Sequence, residues 1–166
     1  NSLIKRLNNL NTKLFILIST IDVLFKHPYG KNRLRLEKYV SKRFNRKFII
    51  RLPGVFGKGL KKNIIFDLIK KNNLENIFIN DEFQWYDLSL LSKDIFKLLD
   101  KKKLGIFEFY SEPISNLEII KFFKKKHFFP YREKPILYNF KPKNGYHIRK
   151  KKILTRIKKF IFKNEI

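Results

Sequence analysis

A chain of 166 residues is long enough to bury one sizeable core, and with no cysteine it carries neither a disulfide framework nor a thiolate metal site. No apolar run approaches the roughly 18 to 20 residues that span a bilayer. Leu14 to Leu24 is too short and is broken by Asp22, so no membrane partner is expected and a cytoplasmic location is. The net charge of +25 would draw polyanions, yet alanine is absent while Lys, Asn, Ile and Phe, all encoded by A/T-rich codons, abound. Base composition thus accounts for the charge. The lysines are scattered, the aromatics sit in apolar runs, and Arg149 to Lys159 reads as a solvated helix face, so contact with nucleic acid is expected to be nonspecific.

Leu14 to Ile18 is a continuous apolar run of strand length, as expected for a parallel strand buried on both faces, and it leaves Ser19 and Thr20 at its carboxyl end. Ligands bind at that end of open α/β sheets. Asp22 is expected to cap the loop that follows. Tyr29 to Phe44 predicts a helix with Leu34, Leu36, Tyr39, Val40 and Phe44 inward and Glu37 and Lys38 outward. Tyr29 and Arg33, spaced i, i+4, then share one face.

Phe48-Ile49-Ile50 is a short strand closed by Pro53-Gly54, and Leu60 to Lys71 predicts a helix. Ile77 to Ile79 and Gln84 to Tyr86 read as short strands around the turn-prone Asn80-Asp81, after which Ser89 caps a helix to about Leu99. Ile106 to Tyr110 is a further strand, and Ser115-Asn116-Leu117-Glu118 is a capping box that starts a helix. Three prolines between Phe128 and Tyr146 predict irregular chain with one edge strand at Ile136 to Phe140. A last helix, about Ile148 to Phe162, turns Ile153, Leu154, Ile157, Phe160 and Ile161 inward. His27, His127 and His147 are far apart with no acidic pair at ligand spacing, so no metal site is expected.

The order of Ser19-Thr20 at a strand end, Tyr29-x-x-x-Arg33, and then Arg51-Leu52-Pro53-Gly54-Val55-Phe56-Gly57 resembles the extended short-chain dehydrogenase/reductases, the branch of NAD(P)-dependent nucleotide-sugar epimerases and dehydratases. Phe83 to Leu88 and Pro113-Ile114-Ser115 resemble later steps of that family, so the likeness covers about residues 14 to 125. It implies an α/β fold with a partial Rossmann-like, doubly wound parallel sheet and a small carboxyl-terminal substrate-side region. It implies hydride transfer with NAD or NADP on a nucleotide sugar or related hydroxyl substrate, and leaves a homodimer open. By resemblance Thr20 bonds the substrate oxygen, Tyr29 exchanges the proton, Arg33 supports Tyr29 and holds the nicotinamide ribose, and Pro53 and Gly54 lie beside the nicotinamide.

Two positions depart from the pattern. Arg33 stands where the family commonly has lysine, and its planar guanidinium makes a different contact. The step from Thr20 to Tyr29 is short. None of the six glycines forms the Gly-rich turn that opens a dinucleotide fold, and the chain starts at Asn1. The expectation is a single domain, 1–166, forming the carboxyl-terminal fragment of such an enzyme and inactive alone. Within it, about 1–59 would be the catalytic strand-helix-strand and about 60–166 the substrate side. The competing readings are a basic nucleic-acid-binding module and a degenerate relative that keeps the fold without the chemistry.

Overall fold

The computed structural model describes residues 2–123 and 127–164. In chain order the elements begin with α1 (Ser2–Asn8), β1 (Phe15–Thr20), α2 (Pro28–Arg43), β2 (Lys47–Leu52) and β3 (Gly54–Phe56). Then come α3 (Ile64–Lys70), β4 (Glu82–Phe83), β5 (Trp85–Asp87), α4 (Leu91–Asp100) and β6 (Gly105–Glu108). β7 (Ile114–Ser115), α5 (Asn116–Ile120) and α6 (Lys150–Asn164) complete the set. They gather into two compact units: Asn1–Leu52 with Lys93–Phe109, and Pro53–Ser92 with Tyr110–Ile166. The chain passes from the first unit to the second after Leu52.

The first unit is built on a parallel sheet of order β1-β2-β6, with Ser19 opposite Arg51 and Arg51 opposite Glu108. α2 starts where it does because Pro28 suits the first helical turn and the His27 ring accepts the Gly30 N–H at 3.1 Å. Its buried Leu36, Val40 and Phe44 pack on Ile49, with Phe15 and Leu17 of β1 against the same cluster. Phe15 and Phe44 stack at 4.2 Å between ring centres. Because successive strand residues alternate between faces, the other side of β1 presents Ile16 and Ile18, 37% and 39% exposed. The expected double burial of this strand is therefore corrected: among the described residues β1 pairs on one edge only, and its cover lies on the α2 face.

α1, which nothing in the sequence pattern signalled, is tied to α2. The Tyr39 hydroxyl donates to the Asn8 side chain, and Arg43 donates to the carbonyls of Asn8 and Leu10 at 3.1 and 3.0 Å.

In the second unit β3 pairs parallel with β5, and β4 antiparallel with β7. The core collects Phe56, Ile65, Leu68, Trp85, Ile114 and Ile119 with one face of α6. On that helix Ile153, Ile157 and Ile161, spaced i, i+4, i+8, are wholly buried. Such side chains contribute about 1.5 to 3 kcal/mol each on burial. The capping box at Ser115 and Glu118 forms as expected. α3 is shorter than expected, since the Asn63 side chain accepts the N–H groups of Ile65 and Phe66 and starts the helix there.

Ile77 to Ile79 does not join a strand. Its backbone is satisfied from afar: Ile79 N–H donates to the Pro130 carbonyl, while Phe78 and Ile79 carbonyls accept from the Asn116 side chain and the Leu117 N–H. The expected edge strand at Ile136 to Phe140 is reduced to one bridge, between Leu137 and Glu82. The Glu82 main chain and the Asp81 carboxylate hold the start of that segment, and its end is held by buried Gln84. Its amide donates to the carbonyls of Ser111 and Phe140 at 2.7 and 2.8 Å and its oxygen accepts the Phe140 N–H at 3.0 Å.

Glu112 accepts the Lys150 N–H at 2.6 Å and the Arg149 guanidinium at 2.8 Å, and those bonds hold its carboxyl below the ordinary glutamate value. For Glu118, burial pushes the carboxyl up, but the Ser115 N–H and the Lys150 ammonium outweigh it and the net shift is downward. Among the described residues no helix is long and apolar enough to cross a membrane.

Candidate functional site

Thr20 ends β1 and caps the short helical turn Ile21–Leu24. Its hydroxyl donates to Asp22 Oδ2 at 2.6 Å and accepts the Asp22 N–H at 3.2 Å. Asp22 Oδ1 lies 3.4 Å from His27 Nε2, and the His27 ring stacks on that of Tyr29 at 6.2 Å. A string of contacts thus runs Thr20, Asp22, His27, Tyr29. Gly30 makes it possible: a side chain there would stand 2.0 Å from the Asp22 carbonyl, so only glycine lets the first turn of α2 approach this closely. The short step from Thr20 to Tyr29 is the result. The cap of this turn is Thr20 and not Asp22, whose side chain takes the Thr20 proton instead; from sequence its partner His27 comes into view only as a metal ligand.

Tyr29 is 55% exposed, and among the described residues no hydrogen bond engages its hydroxyl. Arg33, one turn on, donates from Nη2 to the carbonyl of Ile18 at 2.5 Å, tying α2 to β1. Its Nε is buried and has no acceptor among the described residues. The structure therefore places Thr20, Tyr29 and Arg33 in one unit, around the carboxyl end of β1. Pro53 and Gly54 belong to the other unit, where Pro53 is buried. Gly54 packs against the Trp85 ring, which a side chain there would meet at 3.1 Å, and its N–H donates to the Gln84 carbonyl.

Beside Thr20 lies a polar cluster that the sequence pattern misassigned. Glu37, expected to face solvent, is 2% exposed. It receives three hydrogen bonds from Arg51, the shortest 2.7 Å, and one from the Ser19 hydroxyl at 2.6 Å. Arg51 also reaches Glu108 at 3.3 Å. The physical reason is register: Ser19, Arg51 and Glu108 are lateral neighbours on the sheet face that α2 covers, and Glu37 lies three residues before Val40 on the covering side of the helix. An arginine inside the apolar run of Phe48 to Leu52 was the signal available. Among the described residues no group of His, Asp and Glu side chains is arranged to hold a metal ion.

No family model and no curated protein matches this chain. Solved structures do. A UDP-glucuronic acid 4-epimerase from Bacillus cereus superimposes with a TM-score of 0.71 at 17% identity, over 98% of this chain and 65% of its own. A dTDP-glucose 4,6-dehydratase from Bacillus anthracis, in complex with NAD, gives 0.64 at 14%, over 99% and 65%. A dTDP-4-dehydrorhamnose reductase from Yersinia enterocolitica gives 0.63 at 14%, over 91% and 66%. The chain spans about two thirds of the length of each. At such identities the likeness is one of fold: this chain has the Rossmann-like α/β architecture that those epimerase, dehydratase and reductase structures share.

Proposed function

We propose that the protein carrying this chain is an NAD(P)-dependent epimerase, dehydratase or reductase that transfers hydride to or from a hydroxyl carbon of a nucleotide-linked sugar or a related substrate. The observation that carries the proposal is the string Thr20, Asp22, His27, Tyr29, which gathers a fixed hydroxyl and an unengaged phenol at the carboxyl end of a parallel strand. The donor set fits the nicotinamide-ribose end of the cofactor. Arg33 Nε is a buried donor without an acceptor, as expected where a bound group completes the bonding, and Tyr29 has its hydroxyl free. Pro53 and Gly54 are assigned to the cofactor by resemblance alone.

The cofactor, when bound, supplies the site that takes or gives the hydride. Thr20 spends its proton on Asp22 and one lone pair on the Asp22 N–H, so the lone pair that is left accepts from a substrate hydroxyl other than the reacting one and orients the substrate, leaving the reacting O–H to Tyr29. Tyr29 takes the proton that the alcohol oxygen loses on oxidation and returns it on reduction. Arg33 contributes a fixed positive charge one helical turn away, held by its bond to the Ile18 carbonyl.

The test is turnover on a panel of nucleotide sugars with NAD or NADP, followed by nicotinamide absorbance. Tyr29→Phe keeps the ring against His27 and removes the exchangeable proton, so turnover should fall by about two to four powers of ten with cofactor affinity unchanged. Thr20→Val should cost less. Parental turnover in Tyr29→Phe sinks the catalytic assignment and leaves Tyr29 a packing residue.

A further inference from the structure

Base composition explains how many cations this chain has; it does not explain where they stand. Within the second unit a cleft of about 930 Å³ opens between the Gly57–Gly59 loop, the end of β5 and the outer side of α6. Seven of the fourteen residues lining it are Lys or Arg, against 39 of 166 in the whole chain, so cations are about twice as dense here as composition predicts. The lining carries a single carboxylate, Asp87, paired with Arg156 at 2.7 Å, and Arg149 is paired with Glu112 at 2.8 Å, which leaves five lysines without a carboxylate partner among the described residues.

The arrangement is linear. Lys151, Thr155, Lys159 and Lys163 repeat every four residues, so they rise along α6 in steps of about 6 Å and span about 18 Å, on the side away from buried Ile153, Ile157 and Ile161. Lys58 projects from the loop, where Gly59 has φ +83° and open space around it. A compact diphosphate engages two or three such cations and leaves the rest repelling one another. A chain of phosphates neutralises the whole row. The one aromatic in the lining, Phe160, is half-buried, so the cleft offers no platform on which bases stack.

We propose that this cleft binds a single nucleic-acid strand through its phosphates, without reading its sequence. The proposal stands apart from the hydride-transfer reading, whose proposed catalytic residues Thr20, Tyr29 and Arg33 lie in the other unit.

The experiment is fluorescence polarisation of the 166-residue chain with a labelled oligothymidine, at two salt concentrations. Lys151→Glu, Lys159→Glu and Lys163→Glu together should weaken binding by about thirtyfold or more. They should also lower the slope of log affinity against log salt by about two, at about 0.7 per lost phosphate contact. Lys101→Glu, Lys102→Glu and Lys103→Glu change net charge equally at exposed positions of the other unit and should cost less than about threefold. Equal losses in the two triples overturn the proposal, because attraction would then follow net charge alone. A Lys→Gln version of each triple, checked by circular dichroism, gives the same discrimination if charge reversal disturbs α6. UDP at about millimolar concentration should fail to displace the strand; displacement at micromolar concentration overturns the proposal in favour of a free nucleotide.

Discussion

Arg51 and the row of cations on α6 use the same chemistry under opposite conditions. In the first unit a single guanidinium, 13% exposed, faces two carboxylates, and the deeper of them, Glu37, has its remaining capacity filled by the Ser19 hydroxyl. In the second unit seven cations line one cleft with a single, already paired carboxylate. Charges matched and buried fix a sheet to its helix. Arg149 and Arg156 have carboxylate partners; the lysines massed beside them repel one another and await an anion. A chain of +25 holds both arrangements, so its net charge predicts neither.

The sharpest way to break this contrast is at Arg51. Arg51→Leu leaves the Glu37 carboxylate buried with the Ser19 hydroxyl as its main support, and unpairing a buried charge costs about 3 to 5 kcal/mol. The midpoint of urea unfolding should drop accordingly, and Glu37→Leu added to it should recover much of the loss. A cost below about 1 kcal/mol would place the Arg51 cluster with ordinary surface pairs.

A smaller change probes the cleft. Asp87→Asn keeps the side-chain oxygen that accepts the Ser89 N–H at 2.9 Å but removes the charge facing Arg156. This pair is partly exposed, so stability should fall by about 1 kcal/mol, while affinity for an oligonucleotide should rise by about two- to threefold as Arg156 is released. Opposite signs in the two measurements are the expected signature; a fall in both would mean Asp87 shapes the cleft more than it neutralises it.

The smallest effect is acidic loosening at the start of α6. Glu112 and Glu118 have their carboxyls held below the ordinary value of 4.5, so the stability they contribute is complete above that value and is lost as pH falls through their lowered values. The protection of amides around Lys150 against exchange, taken relative to the intrinsic rate at each pH, should therefore decline as pH falls below about 4.5, and Glu112→Gln should remove that dependence in part.

Much of the frame was legible because it is local. The apolar stripe of Leu36, Val40 and Phe44 in α2, the Ser115 box before α5, and the i, i+4 run of Ile153, Ile157 and Ile161 each announce themselves within a few residues. The same holds for Thr20 and Tyr29, whose approach depends on Gly30 close by in sequence. What stayed hidden depends on distant partners. Glu37 looks solvated until Arg51 arrives on the neighbouring strand, fourteen residues on. Ile77 to Ile79 looks like a strand until Asn116, Leu117 and Pro130 take up its backbone groups. The cation row is visible in sequence, but the cleft beside it needs the Gly57–Gly59 loop, about ninety residues earlier.

Gln84 has a consequence for how this unit tolerates change. Its carboxamide bonds main-chain atoms of Ser111 and Phe140, so this grip does not depend on the chemistry of the side chain at 140. Gln84 itself is not interchangeable with glutamate of nearly the same shape, because a carboxylate would turn two donors toward carbonyls into repulsive contacts. The proline-rich segment is thus fastened from outside itself and through its backbone, by the Gln84 amide together with the Glu82 main chain and the Asp81 carboxylate.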